Sequence, residues 1–547
     1  MKHVVLDTFL EHEAFNALDR HFARQIGRRS KPESALSGHA AAIASAMLRR
    51  GHLCAYLDEP PDFGDELPPL MERWPSNEEW RADLEASGLV TQDSTSFLPL
   101  VLDSKGRLYL HRYFEYEQSL ANSLRERVSS GRLKVIVGGP GTGKTTRILQ
   151  ELTTLQTRSP PSRVALAAPT GKAAKRMEDS VRSGGASLPK SASTLHRLLG
   201  ARRDSAFFKH HAGNPLPEDV VIVDEASMVD LPLMAKLLDA LKPSAELVLV
   251  GDPDQLASVE AGAVLADIAE AALTSRETAT PLGASIITLN TQYRYDPQSG
   301  IGQLCEAIRV GDGDQVVDLL TESRFPDVRL RALPSRDTLE AALQRSPVVS
   351  DLREALKLDD ARAILSALSR SRVLCPTRRG PYGLDSINTL IESRLDNARR
   401  IRPVVLTRND HALQLFNGDS GLIVEDVRRG ESWAWFNGGD ETLRQFPAGR
   451  LPPSETAYAM TVHRSQGSEF DRILLILPSG QNPIVTRELL YTAVSRARRD
   501  VEIWSDPRTI REACSRKVKR HSGLIDRLRL RHAHKRAAPR TPEESPH

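Results

Sequence analysis

The chain has 547 residues, 40% of them hydrophobic and 27% charged, with a formal net charge of +3. That length exceeds a single hydrophobic core and implies two to four domains, while the near-neutral balance excludes a global basic field, so any nucleic-acid binding must come from local patches. Cys54, Cys305, Cys375 and Cys514 form no CxxC pair, and no signal peptide or membrane span is visible. These features point away from a disulfide framework, a zinc site and a membrane, and toward a cytoplasmic protein.

Residues 1–115 carry no catalytic signature. The spacing predicts an amphipathic helix over 11–28, with Phe15, Leu18 and Phe22 near one face, and an alanine-rich helix over 35–50. Pro60, Pro61, Pro68 and Pro69 then break the pattern. This reads as a small helical domain, a structural cap or a partner-docking module. From residue 116 short apolar runs alternate with helical stretches, at 135–137, 164–168, 220–223, 247–250 and 286–289, which predicts a parallel sheet with right-handed crossovers. A second series, at 373–375, 404–406, 422–424, 457–461, 473–477 and 501–504, predicts a second α/β domain. The expected divisions are 1–115, 116–330, 331–510 and a basic, partly disordered tail over 511–547, with 539–547 disordered.

The most informative stretch is Gly138-Gly139-Pro140-Gly141-Thr142-Gly143-Lys144-Thr145-Thr146, between an apolar strand and a helical run. Strand, Gly-rich loop and helix make a phosphate-binding P-loop. The glycines let successive backbone N–H groups curl around phosphate oxygens, and the helix N-terminus adds partial positive charge. Lys144 can reach the β- and γ-phosphates of ATP, and Thr145 can offer its hydroxyl to Mg²⁺. Val220-Val221-Ile222-Val223-Asp224-Glu225 is a strand ending in two carboxylates: Asp224 for the metal, Glu225 to orient and deprotonate the attacking water. One strand on, Gly251-Asp252-Pro253-Asp254-Gln255 places Gln255 to sense the γ-phosphate or the water. Hydrolysis on this template needs cations over the γ-phosphate, and Arg294 and Arg496 are the candidates. If Arg496 completes the site, ATP lies between two domains and its hydrolysis drives motion.

This ordered set resembles the superfamily 1 helicases, and within them the RecD family, the alpha subunits of exodeoxyribonuclease V. The motifs that carry the resemblance span residues 118–498, and include Ala168-Pro169-Thr170-Gly171-Lys172, Ser193-Thr194-Leu195-His196, Tyr293-Arg294, Phe416-Asn417-Gly418-Asp419, Thr461-Val462-His463 through Phe470, and Tyr491 through Arg498. The resemblance implies two RecA-like motor domains and a 5′-to-3′ DNA helicase that works with RecB-like and RecC-like subunits on DNA ends. It makes Gln118 an adenine reader, Gln255 a link from γ-phosphate to DNA, and Arg294 and Arg496 arginine fingers. Gly467 and Glu469 would touch γ-phosphate and ribose, and Pro169, Thr170, Ser193, Thr194, His196, Asn417, Thr461 and His463 would contact DNA. It also implies a pin over 201–216, with Phe207 and Phe208 as apolar wedges, and a small β-barrel insert over 403–453. A freestanding helicase of the same superfamily and an assembly subunit that uses ATP as a switch remain the alternatives.

Overall fold

Two parallel sheets carry the chain's chemistry. In the computed structural model, residues 5–529 are described, except 32–33, 64–72, 94–95, 186–190, 203–204, 206, 277–280, 323, 394, 396–400, 411, 427–429, 439–441 and 481. The first sheet has the strand order Ile286–Leu289, Leu133–Gly138, Glu246–Gly251, Val220–Val223, Val164–Ala168, Ser193–Thr194, all parallel. Its central strands are buried on both faces, which is why they read as unbroken apolar runs instead of alternating ones. Val135, Val221 and Leu249 face a core with Leu120, Leu124 and Leu237; Ile136, Ile222 and Val250 face the opposite one with Ile148, Leu152 and Met177. The P-loop strand and the strand ending in Asp224 are separated by one strand, which ends in Gly251-Asp252. All three therefore deliver their polar termini to one edge, the carboxyl edge where parallel sheets bind ligands.

The second sheet runs Val328–Arg331, Ala497–Trp504, Phe470–Ile476, Ser371–Cys375, Ala459–Thr461, again all parallel. The helices Gly300–Val310 and Gly313–Thr321 pack on it through Ile301, Leu304, Val316 and Leu320, in one cluster with Ile473, Leu475 and Val501. Packing thus divides the two halves near residue 300, upstream of the 330/331 division expected from the motifs. The strands at Ile401–Leu406 and Ser420–Asp426 do not join the second parallel sheet, as the strand count had suggested. They belong to a five-stranded antiparallel sheet with Glu431–Asn437, Leu443–Pro447 and Ser454–Thr456, inserted before Ala459–Thr461.

The N-terminal segment adds a feature that the helical reading missed. Helices Ala17–Arg29, opened by an Asn16–Asp19 capping box, and Ser37–Arg49 pack around Phe9, Phe15, Ile43 and Trp80. Beside them lies a four-stranded sheet of Ala55–Tyr56, Arg107–Leu110, Leu100–Leu102 and Val90–Thr91. Strands of two to four residues leave no detectable period.

The described part of the basic tail folds back on the molecule. After the helix Pro507–Ser515 the chain crosses back to the first half. Arg520 donates to the carbonyls of Ser258, Glu260 and Gly262 at 2.6–2.7 Å, the Leu53 N–H donates to the His521 carbonyl at 2.8 Å, and the helix Leu524–Arg529 docks on His111–Ser129. There Arg527 Nε donates to fully buried Glu117 at 2.8 Å, and Glu117 also accepts from the Gly523 N–H at 2.9 Å. These arginines hold the chain to itself. Residues 530–547, including the stretch expected to be disordered, lie outside the described residues. Among the described residues no helix is long and apolar enough to cross a membrane.

Candidate nucleotide cleft and nucleic-acid groove

The P-loop's local geometry follows from its glycines. Gly141 and Gly143 adopt φ of +81° and +83°, a region that L side chains rarely enter, and Gly143 caps the helix Lys144–Gln156. A side chain at Gly141 would also collide with Arg294 Cβ. Lys144 Nζ donates to the carbonyls of Gly138 at 2.6 Å and Gly139 at 2.8 Å. Crowding by protein lowers the Lys144 pKa, opposed by Asp252, Glu225 and Asp224, so the ammonium sits among three carboxylates. Burial, then the charge of Glu225, raises the pKa of Asp224. Glu225 itself is held in the left-handed region, φ 52° and ψ 39°, with its N–H donating to Asp224 Oδ1 at 2.9 Å. A non-glycine residue there is strained, and such strain persists where surrounding structure imposes it. Thr145, Asp224 and Glu225 offer only hard oxygen donors, the set suited to a divalent cation such as magnesium.

Both sheets contribute to one cavity of about 1170 Å³. The first half supplies the P-loop, Asp224, Glu225, Gln255 and Arg294; the second supplies Gly467, Glu469, Arg496 and Arg498. Arg496 is 2% exposed, and its Nη2 donates to Gln255 Oε1 at 2.8 Å, while Gln255 Nε2 donates to Asp252 Oδ2 at 2.8 Å. Two further bonds tie the halves here: the Leu256 N–H to Thr492 Oγ1 at 2.9 Å, and Gln466 Nε2 to the Leu256 carbonyl at 2.8 Å. Arg294 reaches the other way, its Nη1 donating to the Ser495 carbonyl at 2.8 Å. Burial, then the charges of Arg496 and Arg176, push the Arg294 guanidinium down to about 9. Crowded cations of this kind favour a polyanion between them.

Gln118 is not among the residues that line this cavity. Its helix, His111–Ser129, packs on Leu231–Ala240, on Leu524–Arg529 and on the P-loop strand Leu133–Gly138. Tyr293 and Arg147 do line the cavity. Tyr293 is 74% exposed, its N–H donates to the Gly141 carbonyl at 2.8 Å, and its ring edge lies beside Gly143; Arg147 lines the same cavity from the P-loop helix. An exposed aromatic at a polar cleft was the available sequence signal, and Tyr293 sits within the very motif that carries Arg294.

Three of the expected DNA residues share one construction. Thr170, Thr194 and Thr461 each cap a helix, accepting from the N–H groups of Ala173, Arg197 and Arg464 at 3.2, 3.2 and 3.4 Å. Thr170 stands two positions after the strand Val164–Ala168, while Thr194 and Thr461 end the edge strands Ser193–Thr194 of the first sheet and Ala459–Thr461 of the second. Pro169 and Ser193 flank two of these caps and are half-buried, His196 is exposed, and burial, then Arg520, lowers the pKa of His463. Asn417 is exposed on the antiparallel insert, and its N–H donates to Asn409 Oδ1 at 2.8 Å. Neighbouring Phe416 lies against Gly171, and Lys175 Nζ donates to the Gly438 carbonyl at 3.1 Å, so the insert touches the helix that Thr170 caps. In the expected pin, Ala201 bridges Phe208. Phe207 is 80% exposed, whereas Phe208 packs on the core, 5.9 Å from the His196 ring and under Lys236. Of the two rings, only that of Phe207 is exposed.

Two parallel-sheet halves that close a P-loop cleft, each contributing an arginine to it, define a superfamily 1 helicase motor. Comparison with known proteins makes the assignment narrower. Residues 11–109 match the RecBCD enzyme subunit RecD, N-terminal domain; residues 122–261 match an AAA domain, and residues 456–503 a UvrD-like helicase C-terminal domain. The chain is 38% identical to the RecBCD enzyme subunit RecD of Mycolicibacterium smegmatis, over 94% of this chain and 98% of that one. It is 32% identical to the Haemophilus influenzae RecBCD enzyme subunit RecD, over 76% and 73% of the two chains. It is also 32% identical to the ATP-dependent RecD2 DNA helicase of Deinococcus radiodurans, over 74% of this chain and 52% of that one. The chain belongs to the RecD family.

Proposed function

We propose that this chain is the ATP-driven, 5′-to-3′ DNA motor of a RecBCD-type helicase–nuclease, acting on DNA ends with RecB-like and RecC-like partners in double-strand break repair by recombination. The observation that carries it is the cleft bridged by Arg496 and Gln255: a nucleotide site shared by two sheets turns binding into closure and hydrolysis into opening. ATP phosphates would lie on the P-loop N–H groups, with Lys144 moving from the carbonyls of Gly138 and Gly139 to the β- and γ-phosphates. The strained backbone at Glu225 aims its carboxylate for a water proton, and Arg294 and Arg496 meet the charge that develops on the γ-phosphate. Thr145 and Asp224 would hold Mg²⁺, which when bound neutralises phosphate charge.

Tyr293 would stack on the base with Arg147 nearby. The three threonine caps turn helix N-termini from both halves toward the backbone of single-stranded DNA, a contact that positions the strand without reading its sequence. Gln255, between Arg496 and Asp252, relays the state of the phosphate to the second half, and Phe207 stands where it can part a duplex. Residues 11–109 would dock the partner subunits. This favours the complex over a freestanding helicase, since the match there is to the domain of a RecBCD subunit. Acting on chromosomal DNA ends, the chain would work in the cytoplasm at the nucleoid. The test is strand displacement on 5′- and 3′-tailed duplexes, with the purified chain alone and with co-purifying partners. Unwinding confined to 3′ tails would overturn the polarity, and an active monomer that takes no partner would overturn the assembly.

A further inference from the structure

The cleft holds two arginines that the reaction outlined above does not use, Arg176 and Arg498, and Arg176 is the one that comes from the first half. Arg176 lies on the helix Gly171–Ser183 of the first half, and its side chain lines the cavity beside Ala173 and Met177. Its Nη2 is ion-paired with Glu469 Oε1, and its Nη1 donates to the Gly467 carbonyl at 3.4 Å. Arg294 Nη2 is paired with the same Glu469 oxygen, and Arg498 Nε donates to the other, Oε2, at 3.0 Å. Three guanidinium groups from three separate elements thus converge on one carboxylate, and two of them share a single oxygen.

That convergence marks a position for an anion larger than a carboxylate. At Glu469 one carboxylate meets three guanidinium groups, with Arg496 acting on Arg176 as a further cation; Glu225 and Asp224, the carboxylates of the base and metal positions, also act on Arg176. Arg294, one of the three, rests against the phosphate loop at Gly141. A terminal phosphate brings three acceptor oxygens where Glu469 brings two, and it can take the arginines in charge-assisted, bidentate fashion. A helix side chain bonded only to a surface glutamate would need no partners from the second half, yet Arg176 has two of them, Glu469 and Gly467.

We propose that Arg176 is a third arginine on the γ-phosphate, and that Glu469 Oε1 is its resting partner, exchanged for a phosphate oxygen when a nucleoside triphosphate enters. The proposal rests on the reading of this cleft as an ATPase site. Glu469 then competes with the γ-phosphate and not with the rest of the nucleotide, so its effect separates ATP from ADP.

The experiment uses the full chain with whatever partners co-purify, as wild type, Arg176→Ala, Arg176→Lys and Glu469→Gln. DNA-stimulated turnover is measured together with binding of ADP, of the triphosphate analogue ATPγS and of ADP–aluminium fluoride. Arg176→Ala should lower kcat by about 10²–10³-fold, the cost of one lost transition-state donor. It should weaken ADP–aluminium fluoride while leaving ADP binding at the wild-type value, and Arg176→Lys should fall between. Glu469→Gln should tighten ATPγS and leave ADP unchanged. Wild-type kcat in Arg176→Ala, or equal weakening of ADP and ADP–aluminium fluoride, overturns the role of Arg176. Equal weakening of ADP and ATPγS by Glu469→Gln makes Glu469 a ribose contact and overturns the exchange. Thermal melting of each variant separates a folding defect, and Arg176→Lys keeps the test open if Arg176→Ala fails to fold. A wild-type chain without DNA-stimulated turnover would instead remove the ATPase reading itself.

Discussion

Replacing Arg496 and Gln255 singly and together tests whether the two halves act as one catalytic unit. Arg496 Nη2 and Gln255 Oε1 are 2.8 Å apart, and the residues are 2% and 4% exposed. A charge-assisted bond in such a setting contributes about 1.5–3 kcal/mol. Truncating Arg496 removes the bond and also the cation over the γ-phosphate, so Arg496→Ala should lower kcat by about 10³-fold or more, at least about 4 kcal/mol of barrier. Gln255→Ala removes only the bond and its link to Asp252, so its cost is that of a misplaced Arg496, about 10–100-fold from the same bond energy. If Gln255 acts through Arg496, the double variant should be no slower than Arg496→Ala alone, because residues that act as a unit are not additive. The assay is steady-state, DNA-stimulated phosphate release, with ADP affinity measured alongside to confirm that the P-loop is intact. Losses that multiply in the double variant would refute the coupling. An Arg496→Ala enzyme with wild-type kcat would refute the shared site altogether.

Lys144→Ala should abolish DNA-stimulated turnover and unwinding, read by phosphate release and strand displacement, because no other lysine lines the cleft among the described residues. Phe207→Ala should cut unwinding of a duplex while leaving translocation on single strands, measured by streptavidin displacement, unchanged; Phe208→Ala should instead lower the melting temperature, since that ring is packed. Glu117→Gln should destabilise by about 1–3 kcal/mol, because it removes the fully buried carboxylate that pairs with the half-buried cation of Arg527, and limited proteolysis should then cut first in 516–529. Burial pushes the Asp267 carboxyl up to about 7, against a hydrogen bond from Ser522. The folded state therefore binds the proton more tightly than the unfolded chain, and stability is lost as pH rises from about 4 to about 7, by at most about 4 kcal/mol for three pKa units. Asp267→Asn should raise the melting temperature at pH 8 and change it little at pH 4.

The parts of this molecule that can be read from sequence are those in which the chemistry is contiguous. A parallel strand delivers its ligand-binding residues immediately after its last apolar position, so Gly138 through Thr146, Asp224 with Glu225, and Asp252 through Gln255 each stand in one short run behind a strand. Their order along the chain is not their order in the sheet, where the strand ending in Gly251 lies between the other two, but parallel pairing with right-handed crossovers still brings all three ends to one edge. What could not be read depends on contacts between distant segments. Arg527 meets Glu117 across 410 positions, so the same arginine that makes the tail look like a basic patch is spent on a buried carboxylate. The helix Gly300–Val310 follows the first half's last motif without a break in pattern, yet packs on the second sheet; periodicity reports that a helix has an apolar face, not which sheet covers it. Gln118 shows the same limit from the other side, since its place in the chain fits a motif while it is not among the residues that line the cavity. The anion cage is the extreme case: Arg176, Arg294, Glu469 and Arg498 come from four segments, and although motifs single out Arg294 and Glu469, nothing in the sequence joins them to Arg176 and Arg498. Their convergence appears only when two sheets face each other. A site built this way can respond to a nucleotide only by moving one half against the other, which is what a translocating motor requires of it.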